Sequence, residues 1–549
     1  MAHKNSDDEG TNARGEPGSR KREREVAAIA AVIIVGLLIR LPSLLSNGFL
    51  SDESVYVYAA YAIGSGVTPY VQIMLPHPPL GYLILVPTVI ASQGSLLTLR
   101  IFNLGTYLID ALLAYWLFRI IRQNNSSSFH PMAAFVLFTL YPLPFAITTP
   151  LEFTVFDIPI LLATILFVTG VPGDSRKRLL VSGGLIGAAL MIWFTAAFFA
   201  ISLVAFLAFY ERKKETRGFL RRFAKSAVAM ILGGLIAIAL VLALITVWGG
   251  LSNFIVQSVG LQSSLRASFT LTERLYHILY AILLLLPMFV VASVGILEIA
   301  LRAKRGSNPL ILLPAWIVLM NLGLVFTLPR IVLNHYVAYL LPFIAFLAVG
   351  PFEKLEPTFS WISRKLTRPP PWYLFQSALA TILIISAFLT LPYQSGYLQT
   401  SPYTLANQTV GQYVAGITSP GNAIWTSEGS IAYFASRLIQ APNSTQWPFQ
   451  AEYNDIFNTT YVDADGVVQH GLGVVSPSQF VTAWGLHQTR VLIFILGNGP
   501  VPYPDGFLWY GFSETPGVTQ WVNSNYHLAR NFTFTGVGYQ YLVWYRNQP

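Results

Sequence analysis

Long runs of apolar residues alternate with short polar segments over most of the chain before residue 393. A bilayer core about 30 Å thick needs about 20 apolar residues in a helix, and many of these runs reach or approach that length. The pattern predicts about eleven transmembrane helices. They are expected at about 26–46, 99–120, 131–149, 157–171, 179–194, 196–210, 226–249, 273–300, 309–328, 335–350 and 372–392.

Two apolar segments need a separate interpretation. Residues 179–210 form one apolar stretch with basic loops at both ends. A single span would place those loops on opposite sides of the membrane, so we interpret the stretch as two short spans that turn near Trp193–Thr195. Residues 79–93 are also apolar, but they are few and contain proline. We interpret them as an interfacial or re-entrant helix, which a membrane tolerates where protein or water surrounds the backbone.

The composition is typical of a membrane protein. Hydrophobic residues make up 54% of the 549 residues and charged residues only 11%, whereas soluble chains carry about 25% charged residues. The net charge of +9 would suggest nucleic acid as a partner of a soluble protein. Here the basic residues lie beside apolar segments, so we interpret them as topology signals and expect no nucleic-acid partner. The absence of cysteine excludes disulfides, thiolate metal sites and cysteine nucleophiles.

The distribution of lysine and arginine predicts the orientation of the chain. Residues 1–25 are polar and carry both signs of charge, which predicts a disordered cytoplasmic tail. With this tail inside and eleven spans, every lysine falls on the cytoplasmic side of the plasma membrane, as the positive-inside rule requires. The transmembrane domain then covers 26–392, its first external loop covers 47–98, and residues 393–549 lie outside the cytoplasm.

The segment 393–549 has a different pattern, because its apolar runs shorten to strand length and Gly, Pro, Asn and Ser separate them. Helical and strand-like segments alternate, which predicts an extracytoplasmic α/β domain. The predicted helices cover 404–417, 429–436, 477–485 and 516–525, and the predicted strands cover 423–427, 490–496, 526–535 and 538–546. Asn-x-Ser/Thr sequons agree with an external location; they begin at Asn407, Asn443, Asn458 and Asn531.

Few carboxylates are expected outside the cytoplasm before this domain, and they are the main candidates for chemistry. Asp52 and Glu53 follow the first span, and Asp157 lies at the outer end of the fourth. A positioned carboxylate can remove the proton of a sugar hydroxyl as that hydroxyl attacks an anomeric carbon. A second carboxylate can orient the acceptor or help to hold a divalent cation. The alternative is that Asp52 only caps the next helix and Glu53 is solvated. Asp110, inside the second span, is expected to be paired within the bundle.

Several motifs in the transmembrane region together resemble one superfamily. In chain order they are Arg40-Leu-Pro, Asp52-Glu53, Tyr56, Pro76-His77-Pro-Pro-Leu80, Arg100, Phe156-Asp157-Ile-Pro159, and the segment from Pro329-Arg330 through Asn334-His335-Tyr336 to Pro342. Their order, spacing and sidedness resemble the protein O-mannosyltransferase and aminoarabinose (lipid A) transferase families of the GT-C glycosyltransferases. The chain departs from many members in having His77 in place of Lys and no Lys at the turn of 193–195.

The resemblance implies an inverting membrane glycosyltransferase with a polyprenyl- or dolichyl-phosphate sugar as donor and a protein, glycan or lipid as acceptor. It implies that Asp52 is the catalytic base, that Glu53 organises the acceptor or a metal, and that Asp157 positions the acceptor or shares the base role. A leaving lipid phosphate needs cationic and hydrogen-bonding partners. The candidates are His77, Arg266, Arg274, Arg330, His335 and Tyr336. The sequence does not determine metal dependence; a divalent cation such as Mg²⁺ or Mn²⁺ would bind Asp52 and Asp157.

Two other functions stay open at this point. A transporter would carry ionisable residues deep in several spans and inverted repeats, and Asp110 is a single residue of that kind without a clear repeat around it. A GT-C-like protein without activity could serve as a receptor or assembly protein. The presence of Asp52, Glu53 and Asp157 argues against that alternative.

Overall fold

A computed structural model of the protein describes the greater part of the chain. The described residues are 17–44, 53–75, 77–122, 129–141, 151–214, 217–261, 275, 279, 285–304, 309–327, 339–351, 376–388, 402–426, 429–438, 449–450, 460–462, 468–470, 489–497, 516–534 and 539–547.

Helices make up nearly all of the described region before residue 389. In its first part they are α1 (Pro17–Leu44), α2 (Glu53–Gly64), α3 (Pro79–Leu83), α4 (Val86–Ser92), α5 (Leu96–Arg122), α6 (Phe129–Leu140), α7 (Leu151–Gly170), α8 (Arg176–Leu190), α9 (Ala196–Lys214) and α10 (Phe219–Val247). They continue with α11 (Leu251–Phe254), a π-helix (Ile255–Leu261), α12 (Leu286–Lys304), a 3₁₀ turn (Pro309–Leu312), α13 (Leu313–Thr327), α14 (Leu341–Pro351) and α15 (Gln376–Phe388).

Two of the described helices, α5 and α10, are long and apolar enough to cross a membrane. Shorter apolar helices accompany them, α7 and α12 among others. The prediction that 179–210 forms two elements is confirmed, because α8 and α9 are separate helices joined by residues 191–195. Residues 79–93, predicted to form a short helix, form α3 and α4, with a break between them at Ile84 and Leu85.

Small residues let α8 and α10 approach each other backbone to backbone. A Cβ atom added to Gly187 would lie 2.5 Å from the carbonyl oxygen of Gly234. A Cβ atom on Gly183 would collide with the carbonyl of Met230, and one on Gly233 would collide with the carbonyl of Leu180. Small residues spaced in this way favour close helix packing in membranes, where dispersion contacts rather than the hydrophobic effect drive association.

The C-terminal part combines helices with a four-stranded sheet. Its helices are α16 (Pro402–Ile417), α17 (Gly429–Ala435) and α18 (Pro516–Asn525), and the sheet consists of β2 (Ile424–Thr426), β6 (Val491–Gly497), β7 (Tyr526–Phe534) and β8 (Tyr539–Arg546). The strand order is β2-β6-β8-β7, with β2 parallel to β6 and the other pairs antiparallel. The strands and helices predicted in this part are confirmed apart from 477–485, which lies outside the described residues.

Four short strands, paired two by two, complete the described elements. The two-residue strands β1 (Ile73–Met74) and β3 (Phe449–Gln450) pair in parallel, while β4 (Thr460–Val462) and β5 (Val468–His470) pair antiparallel. The pairing of β1 with β3 joins the segment before α3 to the C-terminal part.

A buried arginine joins α16 to α17. Arg437, 6% exposed, donates through Nε to the hydroxyl of Thr418 (2.9 Å) and through Nη2 to the carbonyls of Thr418 (2.6 Å) and Ala415 (3.2 Å). These carbonyls belong to the end of α16, where helical hydrogen bonding no longer satisfies them. The contact therefore holds the ends of the two helices together.

We expect Gly233→Ala to destabilise the protein by about 1–3 kcal/mol, the usual cost of overpacking. The added methyl group would displace the carbonyl of Leu180 and separate α8 from α10. The measurement is the midpoint of thermal denaturation in detergent. Gly105→Ala is the matched control, because nothing lies within 4 Å of its Cβ position and alanine favours a helix by about 1 kcal/mol. Equal midpoints for the two variants would contradict the close packing.

Candidate active site

The segment between α2 and α4 packs against α7 and against the turn between α8 and α9. Both α2 and α3 contact α7. The amide of Leu80 donates a hydrogen bond to the carbonyl of Met191 (2.9 Å), and a Cβ atom on Gly81 would lie 3.3 Å from the carbonyl of Ile192. The residue Gly81 therefore permits a close backbone approach. We call the region where these elements meet the site end of the bundle.

Asp157 lies in α7 at the site end and is partly exposed. Its neighbour Phe156 is buried and contacts the rings of Trp193 and Tyr339, each at 5.8 Å and edge to face. Pro159 follows two residues after Asp157 inside the helix and has no N–H to donate to the preceding turn. These contacts orient this part of α7 against the turn of 191–195.

The ring of His77 is held in a stack of aromatic side chains. It lies nearly parallel to the ring of Tyr56, with 5.5 Å between centroids, and Tyr56 stacks on Tyr82 at 4.9 Å. Both tyrosines are buried, whereas His77 is partly exposed. The stack therefore orients the imidazole while leaving part of it accessible. Since Tyr56 belongs to the first turns of α2, the stack also places the beginning of α2, at Glu53, near His77.

The backbone before His77 is fixed by side chains from another part of the chain. The carbonyl of His77 accepts a hydrogen bond from the hydroxyl of Tyr70 (2.7 Å). The hydroxyl of Ser258 shares its single hydrogen between the carbonyls of Leu75 (2.9 Å) and His77 (3.1 Å). Burial raises the pKa of the Tyr70 hydroxyl well above its ordinary value, so this group stays protonated and can donate. Gln257 accepts from the amide of Leu75 (3.1 Å) and donates to the carbonyl of Tyr70 (3.2 Å). Asn253 donates to the same carbonyl (2.8 Å).

These contacts assign a positioning role to α11 and the π-helix. Residues 65–78 contain little regular secondary structure, so their backbone groups need partners from elsewhere. Gln257 and Ser258 provide such partners, and both are buried. Sequence analysis did not identify them; the available signal was a polar pair within an otherwise apolar stretch. Sequence analysis also did not identify Tyr339, although the motif segment from Pro329 to Pro342 contained this residue.

The C-terminal part covers the segment between α2 and α4 from a second direction. The hydroxyls of Ser92 and Tyr433 lie 2.6 Å apart, and Ser92 also donates to the carbonyl of Val89 (2.6 Å). Because a carbonyl can only accept, the single hydrogen of Ser92 points to Val89, and Tyr433 therefore donates to Ser92. The ring of Tyr433 also meets Tyr61 edge to face at 6.1 Å. Burial raises the pKa of the Tyr61 hydroxyl, so this group stays protonated.

Asp110 lies close to the site end but inside the bundle. It is 1% exposed in α5, which packs against α7. Its Oδ1 atom has no hydrogen-bond partner among the described residues, so the pairing predicted from the sequence is not found for this atom.

Part of the predicted set of site residues lies in elements that contact one another. Asp157 and His77 lie at the site end, and Glu53 begins α2 there, although its side chain lies outside the described residues. The remaining predicted residues also lie outside the described part of the chain. They are Asp52, Arg266, Arg274, Arg330, His335 and Tyr336. Among the described residues, no three His, Asp or Glu side chains are grouped as metal ligands would be.

No protein-family model matches the chain, and no curated protein sequence matches it either. Similarity appears in solved structures. ArnT from Cupriavidus metallidurans in the apo state superposes with a TM-score of 0.58 and 11% identity over 95% of this chain and 98% of ArnT. The same protein bound to undecaprenyl phosphate gives a TM-score of 0.58 and 11% identity over 94% and 97% of the two chains. Archaeal oligosaccharyltransferase AglB from Archaeoglobus fulgidus, in complex with an inhibitory peptide and a dolichol-phosphate, superposes with a TM-score of 0.52. Its identity to this chain is 13%, over 85% of this chain and 69% of AglB.

These neighbours belong to the GT-C superfamily, and the chain has their fold. The resemblance predicted from the motifs is thereby confirmed, with an aminoarabinose transferase matched over nearly the whole length of both chains. Two apolar helices long enough to cross a membrane agree with an integral membrane protein.

We expect Tyr433→Phe to destabilise the packing of the C-terminal part on the segment between α2 and α4 by about 1 kcal/mol. The substitution keeps the ring but leaves the buried oxygen of Ser92 without its donor. The measurement is the rate of limited proteolysis between the two parts, together with the thermal midpoint. Tyr413→Phe is the control, because the Tyr413 hydroxyl makes only a 3.5 Å contact with Ala529. Equal decreases of the thermal midpoint in both variants would contradict the hydrogen bond assigned between Tyr433 and Ser92.

Proposed function

We propose that the protein is an inverting glycosyltransferase that moves a sugar from a polyprenyl- or dolichyl-phosphate donor to a protein, glycan or lipid acceptor at the outer face of the membrane. The observation that carries the proposal is that α2 and α3 contact α7, the helix that holds Asp157, while His77 stacks on Tyr56 of α2. The neighbours' names support the donor class, since ArnT was solved with undecaprenyl phosphate and AglB with a dolichol-phosphate.

In the proposed reaction, a hydroxyl or other nucleophile of the acceptor attacks the anomeric carbon. The proton of the nucleophile passes to the carboxylate of Asp52, a new glycosidic bond forms, and the bond from the anomeric carbon to the phosphate oxygen breaks. The lipid phosphate leaves with the bonding electrons. Glu53 would organise the acceptor, and Asp157 would position it or share the base role. The fixed orientation of α7 around Phe156 would then contribute by holding the reacting groups in place.

The leaving phosphate gains negative charge and needs hydrogen-bond donors. His77 is the described candidate, because its ring is accessible and its position is fixed on both sides. The stack on Tyr56 sets the ring plane, and the hydrogen bonds from Tyr70 and Ser258 hold the backbone. The further candidates for the phosphate are Arg266, Arg274, Arg330, His335 and Tyr336. A divalent cation, if one takes part, would bind Asp52 and Asp157.

We expect Asp52→Asn to lower transfer by about 10²–10⁴-fold, the usual contribution of a general base, and Asp157→Asn to lower it as well. The measurement is sugar release by purified protein in detergent from radiolabelled polyprenyl-phosphate mannose, glucose or pentose, with Mg²⁺, with Mn²⁺ and with a chelator. Asp174→Asn is the matched control, because Asp174 is an exposed carboxylate that pairs with Lys214 beyond the other end of α8.

Full turnover by Asp52→Asn would contradict the proposed base. Turnover that is unchanged by the chelator would show that the reaction needs no divalent cation. Absence of turnover with every donor, by folded protein supplied with cell-envelope acceptors, would favour a GT-C-like protein that serves as a receptor or assembly factor.

The proposed orientation makes a separate prediction. Because the natural chain has no cysteine, single-cysteine variants report sidedness directly. We expect a membrane-impermeant maleimide to label Ser65→Cys and Gln520→Cys in intact cells, and to label Arg217→Cys only after permeabilisation. All three positions are exposed. The opposite labelling pattern would show that the site end faces the cytoplasm.

A further inference from the structure

The first turns of α8 and the corresponding turns of α10 enclose a pocket of about 360 Å³. Arg176 and Lys177 from α8 and Lys225 from α10 form one side of its lining, and all three are exposed. Apolar residues, Val228 and Leu232 among them, form the rest. The pocket therefore joins a positively charged rim to an apolar wall.

The three basic residues of the rim have no acidic partner in the described part of the chain. Two neighbouring cations are neutralised, because Lys214 pairs with Asp174 (3.4 Å) and Arg222 pairs with Glu211 (3.1 Å). No ion pair or hydrogen bond of the described residues involves the side chains of the rim cations. An anion of suitable shape would thus meet three positive charges that no acidic group of the described residues compensates, two from one helix and one from the other.

The apolar wall continues into a surface that faces away from the protein. Val228 is 60% exposed and Leu232 is 49% exposed, and further along α10 Leu235 and Ile236 are 56% and 47% exposed. In a membrane protein, such side chains contact acyl chains. A free phosphate or nucleotide would use the cations but not this wall, whereas a phospholipid offers an anionic headgroup followed by apolar chains.

The close contact of α8 with α10 explains why the rim is preformed. The helices touch through Gly183 and Gly233 within about two turns of the rim, which holds Arg176 near Lys225. We propose that this pocket binds the headgroup of an anionic membrane phospholipid, with an acyl chain along Val228 and Leu232. The pocket lies at the start of α8, whereas residues 191–195 at its other end belong to the candidate active site. The inference therefore does not depend on the proposed function.

The test is equilibrium binding of spin-labelled phosphatidylglycerol to the full-length protein, with spin-labelled phosphatidylcholine as the neutral comparison. We expect the wild-type protein to prefer phosphatidylglycerol. The triple variant Arg176→Gln, Lys177→Gln, Lys225→Gln should bind it at least about tenfold more weakly, since one basic residue at a membrane surface contributes about fivefold in affinity for anionic lipid. Val228→Trp should also weaken binding, because it fills the pocket without changing the charge.

The control is the triple variant Arg212→Gln, Arg217→Gln, Arg221→Gln, which removes the same charge from exposed positions in the neighbouring segment outside the pocket. It should stay within about twofold of the wild type. Equal weakening by both triple variants would overturn the proposal, since the attraction would then be a general surface effect. Equal binding of both lipids by the wild type, or displacement of phosphatidylglycerol by a polyprenyl phosphate at much lower concentration, would overturn it too. Thermal denaturation confirms that each variant is folded.

Discussion

The need to satisfy every backbone hydrogen bond at the membrane determines how this protein builds its candidate site. Residues 65–78 run between α2 and α3 with little regular structure, and an irregular backbone near a bilayer needs protein partners. Tyr70, Asn253, Gln257 and Ser258 provide them through side-chain hydrogen bonds. The same bonds that satisfy this backbone also fix the carbonyl of His77. Stability and positioning thus come from one set of contacts.

The two ends of α8 serve different purposes. Just after its last residue, the carbonyl of Met191 accepts a hydrogen bond from the amide of Leu80. This bond attaches the segment between α2 and α4 to the bundle. At its start, the rim of basic residues lies beside α10. Between these ends, Gly183 and Gly187 let α8 pack directly on the backbone of α10. A helix held this rigidly can present a precise turn at the site end and a preformed pocket at the other.

The C-terminal part contributes to the site although its own chemistry is not apparent. Its helix α17 contacts α2, and its strand β3 pairs with β1 just before His77. The hydrogen bond of Tyr433 to Ser92 adds a polar contact at the same interface.

The fold of the C-terminal part also affects glycosylation. Asn407 is 1% exposed and donates to Ser430 (2.8 Å), so its sequon is inaccessible in this fold, whereas Asn531 is exposed on β7.

The sequence by itself indicated the class of the fold and named candidates for the site. Hydrophobic run length and basic loops indicated a polytopic membrane protein, because the thickness and polarity of a bilayer act on short stretches of chain. Spaced motifs indicated the GT-C superfamily and singled out Asp157 and His77. The tertiary structure alone decided that Gln257 and Ser258 hold the backbone before and at His77, that α5 packs Asp110 into the bundle beside α7, and that Arg176 and Lys225 line one pocket. In each case the residues belong to separate elements of the chain. Contacts between elements depend on how those elements pack, which no local sequence pattern specifies.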